Sequence, residues 1–183
     1  KTFSPQRYEI WTMQSAYHNL PTIDGIQQAP GADFAARDVL YEADEAQAAL
    51  TLDIAGAYPP EAGLKRWVRT IRLVRGQSVM VEDDYELDHV PRSLVLSLLT
   101  PSHVSLANAG CISLSRADLP DGRVSASGEV LYDADKFSPS LEVIPITDSR
   151  MSSVWGEQLF RILLRVVDLK ARDTWTLDIR GTR

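Results

Sequence analysis

Short runs of alternating apolar and polar residues, each closed by a turn signal, dominate this chain and leave few folds open to it. Leu50, Leu52 and Ile54 share one face of the run 48–55, which Tyr58-Pro-Pro then breaks. The β-rich runs 66–74 and 78–85 flank Arg75-Gly-Gln, a hairpin signal. Phe160, Ile162, Leu164 and Val166 alternate in 160–167, although Arg161 and Arg165 also suit an amphipathic helix. Trp175, Leu177 and Ile179 alternate near the end. Further strands are expected over 7–13, 34–41, 93–99, within 104–116, and over 124–132 and 141–146, with 147–153 as a loop. Many short strands separated by turns define an all-β antiparallel β-sandwich, expected as a single domain over residues 1–183.

Composition narrows the function. A chain of 183 residues that is 44% hydrophobic is long enough to bury a core. No apolar run reaches the roughly 20 residues of a membrane span, so no membrane partner is expected. The net charge of −6 argues against nucleic acid as a partner. Cys111 is the only cysteine, which excludes an internal disulfide and predicts a buried structural position. The start at Lys1 reads as a piece of a longer protein, and Lys1 to Pro5 shows no signal peptide.

Polar side chains gather at Ser15-Ala-Tyr-His-Asn-Leu-Pro-Thr-Ile-Asp-Gly-Ile-Gln, ending at Gln27. Placed after the expected strand 7–13, His18 falls at a strand end or in a loop, where scaffolds present chemistry. Asp24-Gly25 is a turn signal, and Asn19 either caps that turn or meets a ligand. Tyr17 stacks on a sugar or packs inward. Arg66, Arg69 and Arg72 suit carboxylate or sulfate groups, or pair internally with Glu82, Asp83 and Asp84. His89 and His103 read as ordinary surface histidines. Trp11, Trp67, Trp155 and Trp175 are stacking candidates that in strands belong to a core.

Arg7-Tyr8, Trp11, Ser15, His18-Asn19, Pro21, Asp24-Gly25 and Gln27 resemble the start of the C-terminal β-sandwich domain of heparinase II/III-like polysaccharide lyases. The resemblance continues through 50–58, 67–75 and 79–85. It implies a parent that cleaves uronate-containing acidic glycans, of heparin, heparan sulfate or alginate type, by β-elimination. An N-terminal helical toroid domain of the same parent would carry the main acid, base and neutralising Asn. The sandwich would supply one wall of the cleft and be inactive alone.

The resemblance also implies site residues. His18 is the catalytic candidate and, in some members, a zinc ligand whose companions lie on an upstream segment absent from this chain. Tyr17, Asn19, Gln27 and Arg69 are the substrate-contact candidates. An acidic polysaccharide and the toroid domain are the implied partners, with a homodimer left open. A periplasmic or secreted parent is expected, and cytoplasmic members exist. The alternatives are a non-catalytic carbohydrate-binding or scaffolding module, and a relative that has lost activity.

Overall fold

The computed structural model describes residues 3–182. Twelve strands form two antiparallel sheets: β1 Pro21–Ile23, β2 Arg37–Ala43, β3 Gln47–Asp53, β4 Leu64–Val74, β5 Ser78–Leu87, β6 Leu94–Thr100, β7 His103–Asn108, β8 Cys111–Ser115, β9 Gly128–Leu131, β10 Phe137–Pro145, β11 Gln158–Val166 and β12 Arg172–Gly181. The small sheet runs β1-β6-β11-β10 and the large one β2-β3-β4-β5-β12-β9-β8-β7. The architecture is the expected all-β sandwich. The run 160–167 is strand β11, because both its neighbours pair with it and bury Ile162 and Leu164 between the sheets.

The β4–β5 hairpin lies centrally, and its faces explain its mixed sequence. Trp67, Arg69, Ile71 and Leu73 do share one face. Trp67 and Arg69 are buried, whereas Ile71 and Leu73 are 38% and 40% exposed. The small sheet has four strands against eight and leaves part of the large sheet uncovered. On the opposite face Arg66 pairs with Asp84 at 3.0 Å and Arg72 with Glu82 at 3.7 Å. These are cross-strand diagonals, since Val68 stands opposite Asp84 and Thr70 opposite Glu82.

Arg69 and Asp83 face each other directly in the register and form the central pair. The Asp83 carboxylate accepts from Arg69 Nε at 2.8 Å and Nη2 at 2.7 Å. It also accepts from the indole nitrogens of Trp67 at 2.7 Å and Trp175 at 3.0 Å. Both charged side chains are almost fully buried. Around them Trp67 stacks on Tyr85 with ring centroids 4.9 Å apart, and Trp175 meets Phe137 edge-on at 5.1 Å. Burial pushes the Tyr85 hydroxyl up to about 12, helped by Asp173 and Asp168.

Three sequence expectations are corrected. Residues 7–13 are not a strand: the span Pro5–Glu9 and then Trp11–Met13 are 3₁₀ turns. Among the described residues no strand pairs with them, and local bonds such as Ile10 N–H to Arg7 O at 3.1 Å form instead. The loop after β10 holds a helix, α1 Ser149–Trp155, whose cap Asp148 accepts from the amides of Arg150 and Met151. Cys111 is half-buried rather than buried.

Replacing Asp83 by Asn leaves the Arg69 charge buried without its counter-ion. The expected loss is about 3–5 kcal/mol of unfolding free energy, read by denaturant titration of tryptophan fluorescence. A loss within about 1 kcal/mol would mean the pair behaves as a surface salt bridge.

Candidate functional site

Three successive 3₁₀ turns lead to the candidate site, the last being Ser15–Tyr17. Each ends on an extended residue, Ile10, Gln14 and then His18. Hydrogen bonds clamp this segment. Ser15 Oγ accepts from the Gln28 amide at 2.9 Å, and Gln27 Oε1 accepts from the Ala16 amide at 3.0 Å. The Leu20 carbonyl accepts from the Ser97 amide at 3.2 Å, and Asn19 Oδ1 accepts from the Leu99 amide at 3.2 Å. From the core, Arg69 Nη1 donates to the Asn19 carbonyl. Tyr58 donates its hydroxyl to the Pro21 carbonyl at 2.6 Å, and burial pushes that hydroxyl well above the usual phenol range.

His18 projects from this frame and is exposed. Its Nε2 lies 3.2 Å from the Thr12 carbonyl. A carbonyl only accepts, so Nε2 carries the hydrogen and Nδ1 keeps its lone pair for a proton or a ligand. Two recesses meet at His18. One is an open cleft of about 450 Å³ with Tyr8, Gln14, Gln27 and Gln28 on its walls. The other is an apolar slot of about 180 Å³ between Tyr17, Leu99, Met151 and Trp155.

The structure therefore separates the residues that sequence reasoning grouped. His18 and Gln27 share the open cleft, and His18 and Tyr17 share the slot. Tyr17 packs inward, with the Arg161 guanidinium 4.5 Å from its ring centroid and Trp11 edge-on at 5.2 Å. Asn19 lines neither recess: its carbonyl and side-chain oxygen serve the frame. Arg69 is 5% exposed and held by Asp83 and Asn19, so a ligand anion would have to displace both partners.

Sequence reasoning missed two features. Asp24 makes the expected turn, with φ of 52° and Gly25 at 80°, but its carboxylate also binds the next loop. Its Oδ1 accepts from the Arg92 and Ser93 amides at 2.7 Å each, and its other oxygen lies 3.5 Å from His89 Nε2. His89, read as an ordinary surface residue, thus sits between Asp24 and Asp88. Gly63 at φ +60° packs against this cluster, where a Cβ would strike Asp88 and His89. Contacts with Asp88 first and Asp24 second raise the His89 pKa. Burial opposes ionisation of Asp24, but the Ser93 and Arg92 amides and His89 outweigh it and hold the carboxyl below its usual range. The second is the exposure of Trp155: the sequence offers it as one of four stacking candidates, and only the tertiary structure sets it apart from the core tryptophans Trp67 and Trp175.

Among the described residues, no three His, Cys, Asp or Glu side chains converge as a metal site. No described helix is long and apolar enough to cross a membrane.

With the geometry in place, comparison with known proteins defines the class of fold. Over 96% of its length the chain superposes on heparan sulfate lyase HepC from Pedobacter heparinus, with a TM-score of 0.68 and 14% identity. It is also similar to a heparinase III, the BT4657 gene product, over 94% of its length, with a TM-score of 0.65 and 12% identity. The chain covers only 26% and 24% of those proteins, about a quarter of each. The sandwich is thus the fold of a domain found in heparin and heparan sulfate lyases. No protein-family model matches the sequence, and no curated protein does.

Because His89 has a raised pKa, its stabilisation is complete below the ordinary value of 6.5 and is lost as pH rises through the raised one. Asp24 behaves oppositely: its stabilisation is complete above 3.8 and lost as pH falls through the lowered value. The melting-temperature gap between wild type and His89→Ala should therefore shrink as pH rises above 6.5 and through the raised His89 value. A gap that stays constant there would show that His89 contributes no charge to the cluster.

Proposed function

We propose that this chain is the C-terminal β-sandwich domain of a polysaccharide lyase that cleaves uronate-containing acidic glycans by β-elimination. The observation that carries this reading is the match to a heparan sulfate lyase over nearly the whole chain, at a quarter of that protein's length. The chain would form one wall of the active-site cleft, completed by a helical toroid domain of the same parent. Heparin, heparan sulfate and alginate are the substrate classes to test, and a periplasmic or secreted parent suits such polymers.

β-Elimination removes the proton at C5 of the uronate, forms a C4–C5 double bond and expels O4, which takes up a proton. Neutralising the C5 carboxylate makes the first step feasible, and positioned acids and bases carry the protons. His18 is suited to a proton transfer: its ring is exposed at a cleft, the Thr12 carbonyl holds its tautomer, and Nδ1 is open. Gln27 borders the same cleft, and its amide nitrogen can donate to a glycan oxygen. Exposed Asn19 and buried Arg69 hold the His18 loop in place. Were the parent to hold zinc, Nδ1 of His18 would ligate it in place of moving a proton, and the metal would supply positive charge for the uronate carboxylate.

The test is the ultraviolet absorbance of the new C4–C5 double bond, measured on a panel of uronate polysaccharides with the parent and with this chain. Product is expected from the parent and not from the chain. His18→Ala in the parent should lower kcat/KM about a hundredfold or more. Absence of product from the parent on every glycan would remove the elimination reading.

A further inference from the structure

The four tryptophans occupy three different environments. Trp67 and Trp175 are core residues at 0% and 5% exposure, and Trp11 packs edge-on against Tyr17. Trp155 is 45% exposed at the C-terminal end of α1. Trp155 helps to line three recesses. They are the slot beside His18, a broad apolar groove of about 660 Å³ next to the β4–β5 hairpin, and a recess of about 240 Å³ bordered by Asp118, Glu157 and Gln158. An exposed indole contributes little to a core, and holding it in water where grooves converge fits it for a ligand with a flat apolar face.

The rim supplies the complementary polarity. Exposed Arg123 donates from Nη2 to the carbonyl of Val154, the residue before Trp155, at 2.8 Å, and from Nε to the Pro120 carbonyl at 3.2 Å. These two bonds tie the guanidinium to the backbone, one of them at the residue before Trp155. Carboxylate and amide groups of Asp118, Glu157 and Gln158 border the adjoining recess. An apolar face ringed by donors and acceptors matches a pyranose, whose C–H face is apolar and whose edge carries hydroxyls.

We propose that Trp155 is the stacking platform of a saccharide subsite, with Arg123 placed to meet an acidic substituent of the stacked sugar. Trp155 and His18 both line the apolar slot, so one glycan chain can occupy the cleft at His18 and the Trp155 platform together. The inference rests on the ligand being an acidic glycan, as in the function proposed above, but not on chemistry at His18. It assigns Trp155 a binding role and no part in bond cleavage.

Calorimetric titration of heparan sulfate, alginate and neutral glucan oligosaccharides into this chain tests the subsite. Trp155→Ala should weaken binding about tenfold, and Trp155→Phe, which keeps a flat ring, should weaken it less. Arg123→Gln should weaken the charged oligosaccharides and spare the neutral one. In the parent, Trp155→Ala should raise KM and leave kcat close to wild type, because the platform lies away from the bond that breaks. Equal affinity of wild type and a folded Trp155→Ala, or no binding of any oligosaccharide by the wild-type chain, overturns the subsite. Elimination by the parent with KM unmoved by Trp155→Ala would refute the platform and leave the lyase reading standing. Trp155-dependent binding with no elimination on any glycan would do the reverse.

Discussion

The rest of the structure depends on one buried ion pair. Asp83 lies at the centre of the large sheet and gathers both indole nitrogens of the core tryptophans and two nitrogens of Arg69. Such a pair is costly to bury and is tolerated because nearly every polar atom finds a partner. Its reach extends beyond the core. The remaining arm of Arg69 holds the Asn19 carbonyl, so the chain carrying His18 is tied through a single guanidinium to strands β4, β5 and β12.

That tie separates polar residues that support the site from those that remain free. Asn19 and Gln27 look in sequence like ligand contacts, yet each spends an oxygen on a backbone amide of the frame, as Ser15 does. Tyr17 spends its ring on Arg161 and Trp11. What stays open is the Nδ1 side of His18 and the indole of Trp155, with an apolar slot between them. The frame thus presents a sparse surface.

Legibility in the sequence followed the range of the interactions involved. The β4–β5 hairpin was legible because its turn and alternation are local, and so was the pairing of its arginines with 82–84 across so short a hairpin. Residues 7–13 alternate just as well, but among the described residues no strand pairs with them, and the backbone closed into 3₁₀ turns instead. The helix α1 was hidden in a stretch rich in Ser and capped by Asp148, residues that signal loops as readily as helix starts. Gly63, Asp24 and His89 are far apart in sequence, and nothing local announces that they meet.

By itself, the sequence determined the strand periodicity, the all-β class and the presence of a histidine on an irregular segment near the start. These follow from side-chain alternation and turn chemistry, which act over a few residues. The tertiary structure decided which arginine would be buried, which tryptophan would face water and which polar side chains would be consumed by the frame. Those outcomes depend on how far the small sheet covers the large one. Trp67 and Arg69 lie inside that cover, while Ile71 and Leu73 on the same strand face lie beyond it. No alternation pattern records where the cover stops, because its edge is set by strands distant in the chain.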